Sequence, residues 1–114
     1  MNMIANWVRA GNIQVSYVID KAREDWRRVR VQGTVHVVVK GRDVKRLLNG
    51  NVLDELRTDF GMELVEHKFV DYDVKEYLFL KFRVDKVFEP FFNVHEFERG
   101  LVERFLELFF VYAD

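Results

Sequence analysis

The chain has 114 residues, 49% of them hydrophobic and 32% charged, with a formal net charge of −1. That balance suits one domain, 1–114, too apolar for a disordered chain and without the run of roughly 20 apolar residues that a membrane span needs. There is no cysteine, one serine (Ser16) and two threonines (Thr34 and Thr58), so disulfides, thiolate catalysis and cysteine metal sites are excluded and hydroxyl nucleophiles are scarce.

Met1 to Ala10 lacks the basic start and long apolar run of a secretory signal, which makes a cytoplasmic location the expectation. Ile4, Trp7 and Val8 within it fit a short helix. After Gly11–Asn12, the alternation of Ile13 to Ile19 reads as a first strand. Asp20 to Arg28 is charged and reads as a loop or a single helical turn. Val29 to Lys40 is the clearest strand. Val29, Val31, Val35, Val37 and Val39 fall on one face with Gly33, and Arg30, Gln32, Thr34, His36, Val38 and Lys40 fall on the other. Gly33 marks either a bulge or a close backbone approach.

Gly41 to Gly61 reads as helical, kinked or broken at Asn49-Gly50-Asn51. Asp43 and Asn51 are candidate caps, and Val44, Leu47, Leu48, Val52, Leu53, Leu56 and Phe60 form the apolar side. Gly61 is placed as the residue just past the helix end. Met62 to Tyr72 reads as a strand, Asp71-Tyr72-Asp73 as a hairpin turn, and Glu76 to Phe88 as a further strand. Leu78, Leu80, Phe82 and Val84 share one face of it, and Tyr77, Phe79, Lys81, Arg83 and Asp85 the other. Pro90 ends it. Asn93 caps a last helix, with Glu96 placed for a capping box. Val94, Phe97, Leu101, Phe105, Leu108 and Tyr112 make its buried stripe, and Val102, Leu106, Phe109 and Phe110 form a second apolar arc. These elements predict an α+β two-layer sandwich: a mostly antiparallel sheet of about four strands with helices packed on one face, loosely ferredoxin-like in arrangement. The Val29–Tyr72 segment would be a right-handed crossover if its two strands are parallel.

Two surfaces carry functional expectations. A helix with two apolar faces needs cover on both, so Val102, Leu106, Phe109 and Phe110 are assigned to an oligomer interface, together with the aromatic outer face of the sheet. The leading expectation is a non-enzymatic interaction module that acts as a homodimer or larger assembly, or that meets an unknown protein partner. The alternative is nucleic-acid binding by Arg30, Lys40, Tyr77, Phe79, Lys81 and Arg83, with bases stacked on the rings and phosphates held by the cations. The spacing lacks the Gly-aromatic-Gly/Ala-aromatic core of the RNA-recognition fold.

No cofactor or metal is expected. His36, His67 and His95 show no ligand spacing, and Glu66 and His67 sit on opposite strand faces unless a bulge intervenes. Asp71, Asp73 and the helical glutamates read as turn and solvated residues, and Ser16 has no nucleophile elbow. Residues 1–57 carry 11 Lys/Arg against 6 Asp/Glu, and residues 58–114 carry 7 against 13. The simplest expectation is that these charges interleave on folding. High charge with abundant Val and Phe and no Cys is also a thermophile-like pattern, as in an archaeal cell or one of its viruses.

Overall fold

Side-chain alternation builds the sheet, and the computed structural model describes residues 2–40, 50–89 and 92–112, with side chains of the last helix described as far as Glu107. The elements run β1 (Asn2–Ala10), β2 (Ile13–Arg23), β3 (Val29–Lys40), α1 (Gly50–Phe60), β4 (Met62–Tyr72), β5 (Lys75–Phe88) and α2 (Val94–Tyr112). The class is α+β. The sheet has five strands in the order β1-β2-β3-β5-β4, and every neighbouring pair is antiparallel. β3 and β4 therefore run parallel to each other, with β5 inserted between them.

The additional strand is β1, where the sequence suggested a short helix. It pairs with β2 along its whole length, from Asn2 opposite Lys21 to Ala10 opposite Ile13. Ladder hydrogen bonds to a neighbour set this strand, since its own apolar pattern is weak. The same ladders extend β2 through Asp20–Arg23, which the sequence placed in a loop. Gly11, at φ 60°, takes the first central position of the two-residue β1–β2 turn, where only glycine is unstrained. The β2–β3 turn is organised by Asp25, whose Oδ1 accepts from the backbone N–H groups of Arg27 and Arg28 at 2.8 and 2.9 Å. Those hydrogen bonds, the one from Arg27 first, hold its carboxyl below the ordinary aspartate range.

The β4–β5 hairpin also departs from expectation. Both strands continue to Tyr72 and Lys75, and the turn is Asp73–Val74, with φ of 52° and 56°. Two positive φ values in a two-residue loop are the type I′ pattern, which suits Asn-Gly and strains a β-branched Val.

One face of the sheet is the core. Ile13, Val15, Tyr17 and Ile19 of β2, the alternate valines of β3, and Leu78, Leu80, Phe82 and Val84 of β5 are all buried against Leu56 of α1 and Phe97, Leu101 and Phe105 of α2. Phe97 meets Tyr17 and Phe60 edge-on, both at 6.3 Å between ring centres. Gly33 lies in this face by close approach, with no bulge at that point of the β2–β3 register: a Cβ there would stand 2.1 Å from the Val18 carbonyl oxygen.

Asn93 before α2 and Gly61 after α1 hold the places the sequence implied. The N–H groups of His95 and Glu96 donate to Asn93 Oδ1 at 2.9 and 3.1 Å. Gly61, at φ 65°, follows α1, and Lys86 Nζ donates to the last carbonyls of that helix, Asp59 at 2.6 Å and Thr58 at 3.3 Å. α1 is already helical at Gly50, so Asn51 lies inside it and is not its cap. Asp43, Val44, Leu47 and Leu48 lie outside the described residues, as does the side chain of Val52. Arg104 of α2 pairs with Glu55 of α1, tying the helices together over the sheet.

Candidate functional site

Both helices lie on one side, so the opposite face of the sheet is left without an intramolecular cover among the described residues. The register fixes what stands on it. A central row crosses all five strands: Trp7, Ser16, His36, Lys81 and Glu66. On one side of that row are Arg9, Gln14, Val38, Phe79 and Lys68, then Lys40 beside Tyr77, then Lys75. On the other are Ala5, Val18, Thr34, Arg83 and Glu63, then Met3, Asp20, Gln32 and Asp85, then Arg30 beside Val87.

Large apolar groups are spread over this face. Trp7 is 61% exposed and Phe79 42%, and Met3, Val18 and Val87 are exposed as well. Tyr77 and Phe79 lie 6.5 Å apart between ring centres at a tilt of 35°. A shallow groove of about 270 Å³ runs between His36, Val38, Phe79, Lys81, Glu66 and Lys68. A second hollow lies between Trp7, Ser16, Val18 and His36.

All six residues of the nucleic-acid expectation fall on this one face, yet their charges are not equivalent. Arg30 is held by Asp85 through Nε and Nη2 at 3.0 and 2.9 Å. That bond lowers Asp85 below the ordinary carboxylate range and raises Arg30 further. Arg83 Nη2 donates to Glu63 at 2.6 Å. Lys81 stands opposite Glu66 in the register. The Lys40 end is different. Its register positions carry Arg9, Lys40, Lys68 and Lys75 and no carboxylate. None of these four forms an ion pair with a described residue. The Lys75 ammonium beside Lys40, with Arg9 further off, pulls the Lys40 amine below the ordinary lysine value. The halves of the chain do interleave, since Arg30 and Asp85 come from opposite halves. The open face nevertheless keeps a gradient, from four cations at one end to Asp20, Glu63 and Asp85 against Arg30 and Arg83 at the other.

The assigned arc on α2 has another setting. Val102 and Leu106 are half-buried and pack in part against the core of their own chain. The side chains of Phe109 and Phe110 lie outside the described residues. Glu98 accepts from Asn6 Nδ2 at 3.1 Å and joins α2 to β1. Tyr17 is buried beneath this contact, and burial, followed by the Glu98 charge, pushes its phenol upward.

Register brings Ser16 opposite His36, but no hydrogen bond joins them among the described residues and the site is an open sheet surface. β4 is bulged between Leu64 and Glu66, yet Glu66 still pairs with Lys81 and His67 with Leu80, so the two remain on opposite faces. Among the described residues no three His, Asp or Glu side chains are placed to hold a metal ion, and no helix is long and apolar enough to cross a membrane.

No family model, curated protein or solved structure matches the chain. The open face itself therefore carries the functional argument. Sequence reasoning missed Trp7, Met3 and Arg9 because β1 was read as a helix, and Lys68 because β4 is weakly patterned. Assigning Asn2–Ala10 as an edge strand, with Met3, Ala5, Trp7 and Arg9 in period two, would have found the first three.

Proposed function

We propose that the chain is a non-enzymatic interaction module whose working surface is the helix-free sheet face, and that a second copy covers this face to make a homodimer. One observation carries the reading: a five-stranded sheet presents Met3, Trp7, Val18, Phe79 and Val87 to water on a side that no helix covers among the described residues. Large apolar side chains left exposed together on one sheet face, interleaved with charge, favour an interface there. Five strands of 9 to 14 residues span a face of roughly 900 Å² at strand spacings of about 4.8 Å and rises of about 3.3 Å. A standard dimer buries about 800 Å² per partner. The second arc of α2 adds a smaller surface in this reading, where Val102 lines a groove with Val8 and His95.

Light scattering on the eluting protein tests the reading. Wild type is expected at twice the chain mass of 13.7 kDa at tens of micromolar, and Phe79→Glu at the single-chain mass with an unchanged circular dichroism spectrum. A wild-type protein that stays at the single-chain mass, or a Phe79→Glu variant that keeps the doubled mass, contradicts it.

The Lys40 end favours one second reading, binding of a single-stranded nucleic acid along Arg9, Lys40, Lys68 and Lys75 with bases stacked on Tyr77 and Phe79. It ranks below self-association because Asp20, Glu63, Glu66 and Asp85 interrupt the rest of the face. This reading predicts retention of a labelled oligonucleotide at low salt that is lost as salt rises. No retention at low salt would sink it.

A further inference from the structure

We infer that the two copies meet sheet to sheet across a two-fold axis running across the strands, so that the Lys40 end of one copy lies over the Asp85 end of the other. This inference rests on the self-association reading and adds its orientation.

A face-to-face contact between identical sheets leaves the symmetry axis lying between them. An axis along the strands stacks each end on its own copy and sets Arg9, Lys40, Lys68 and Lys75 against the same four cations. An axis across the strands reverses one sheet end for end. The four cations then lie over the end that carries Asp20, Glu63 and Asp85, where Arg83 and Arg30 pair with the last two and leave that end one charge negative. Like-charge contact across an interface is strongly disfavoured and opposite charge fixes register, so the gradient selects the second arrangement.

The register makes the pairing specific. Lys40 lies two rows beyond the central row on β3, and its counterpart two rows on the other side is Gln32, flanked by Asp20 on β2 and Asp85 on β5. Lys68 lies one row out on β4 and has Glu63 as its counterpart. The Asp20 carboxylate oxygen Oδ1 is buried without a hydrogen-bond donor among the described residues. Lys81 and Glu66 stand side by side in the central row, so each lies over its own copy with the opposite charge diagonal to it, one strand away. Apolar groups occur on both sides of that row, Val38 and Phe79 on one and Ala5, Val18 and Met3 on the other. Reversal lays Phe79 over Arg83 of the other copy and Val38 over Thr34, so charge rather than apolar matching selects this arrangement. Strand directions in packed sheets lie within about 30° of each other, which the reversed arrangement meets.

The test measures dimer dissociation constants at low salt for three proteins whose folding is checked by circular dichroism. Wild type sets the reference. Lys40→Glu with Lys68→Glu makes both ends acidic and is expected to raise the constant by at least about tenfold. Adding Asp20→Lys and Glu63→Lys to the same chain inverts the gradient and is expected to restore the constant to within about threefold of wild type. Should the fourfold variant not fold, an equimolar mixture of the two double variants gives the same readout through a heterodimer. A dimer indifferent to Lys40→Glu with Lys68→Glu overturns the orientation and leaves self-association standing. Loss without restoration also overturns it. A wild-type protein that is single-chain at every concentration overturns the self-association reading as well, and oligonucleotide binding by that single chain assigns the cations to a nucleic acid.

Discussion

Leu80 and Lys81 are neighbours in β5 and belong to two different environments. On one side of the sheet, Leu78, Leu80, Phe82 and Val84 are sealed beneath the helices. On the other, Tyr77, Phe79, Lys81, Arg83 and Asp85 stand in a mixed apolar and charged surface that none of the described residues covers. The same backbone serves both, so the difference lies in what each face has to bury. The inner face stabilises the chain through apolar area and close packing. The outer face adds little to the single chain, and its content makes sense against a partner.

The comparison breaks first at Phe82 and Phe79. Phe82→Ala removes a fully buried ring packed on Phe105, and denaturant unfolding should show a loss of about 3–5 kcal/mol. Phe79→Ala, at a ring 42% exposed on the outer face, should shift single-chain stability at high dilution by no more than about 1 kcal/mol, the scale of a cross-strand pair. Comparable losses at the two sites would mean that the outer face is covered within one chain.

Gly33→Ala should cost about 1–3 kcal/mol, because the added methyl meets the Val18 carbonyl and the β2–β3 ladder has to spread. An unchanged midpoint would show that the ladder yields easily. At the hairpin tip, Val74→Gly should raise stability by about 1 kcal/mol, since it removes a β-branched residue from φ 56° at a fully exposed site. A lower melting temperature for this variant would refute the type I′ assignment.

The smallest effect concerns Asp85 and pH. Its folded value lies below the ordinary 3.8, chiefly through the hydrogen bond from Arg30. A depressed carboxylate contributes stability that is present above the unfolded value and is lost as pH falls through the folded one. The pair is about half exposed, so its share is under about 1 kcal/mol. Asp85→Asn should lower stability near neutrality by that small amount, flatten the profile below pH 3.8, and converge with wild type once the carboxyl is protonated in both states. A profile that keeps its full acid slope in the variant would move the effect to other carboxylates.

Strong period-two segments were legible in the sequence. The alternate valines of β3 and the Leu-Leu-Phe-Val face of β5 are the core, and Asn93 and Gly61 bound their helices as capping chemistry implies. β1 was not legible, because an edge strand with Asn6 facing the helices and Trp7 facing out is defined by its pairing to β2. Arg30 and Arg83 looked like free cations in the sequence. Their partners, Asp85 and Glu63, are 55 and 20 residues away and meet them only through the register. The cationic end was hidden for the same reason, since Arg9, Lys40, Lys68 and Lys75 come from four different strands.

Trp7 reports directly on whether the open face becomes covered. In a Trp26→Phe background it is the sole tryptophan, because the chain has only two, and it stands on the outer face while α2 lies on the other side. Fluorescence followed over a dilution series, alongside mass by light scattering, should show blue-shifted emission from the doubled species and a red shift as it dissociates. Emission that stays red while the mass doubles would place the contact elsewhere, and emission that stays red at the single-chain mass would contradict self-association altogether.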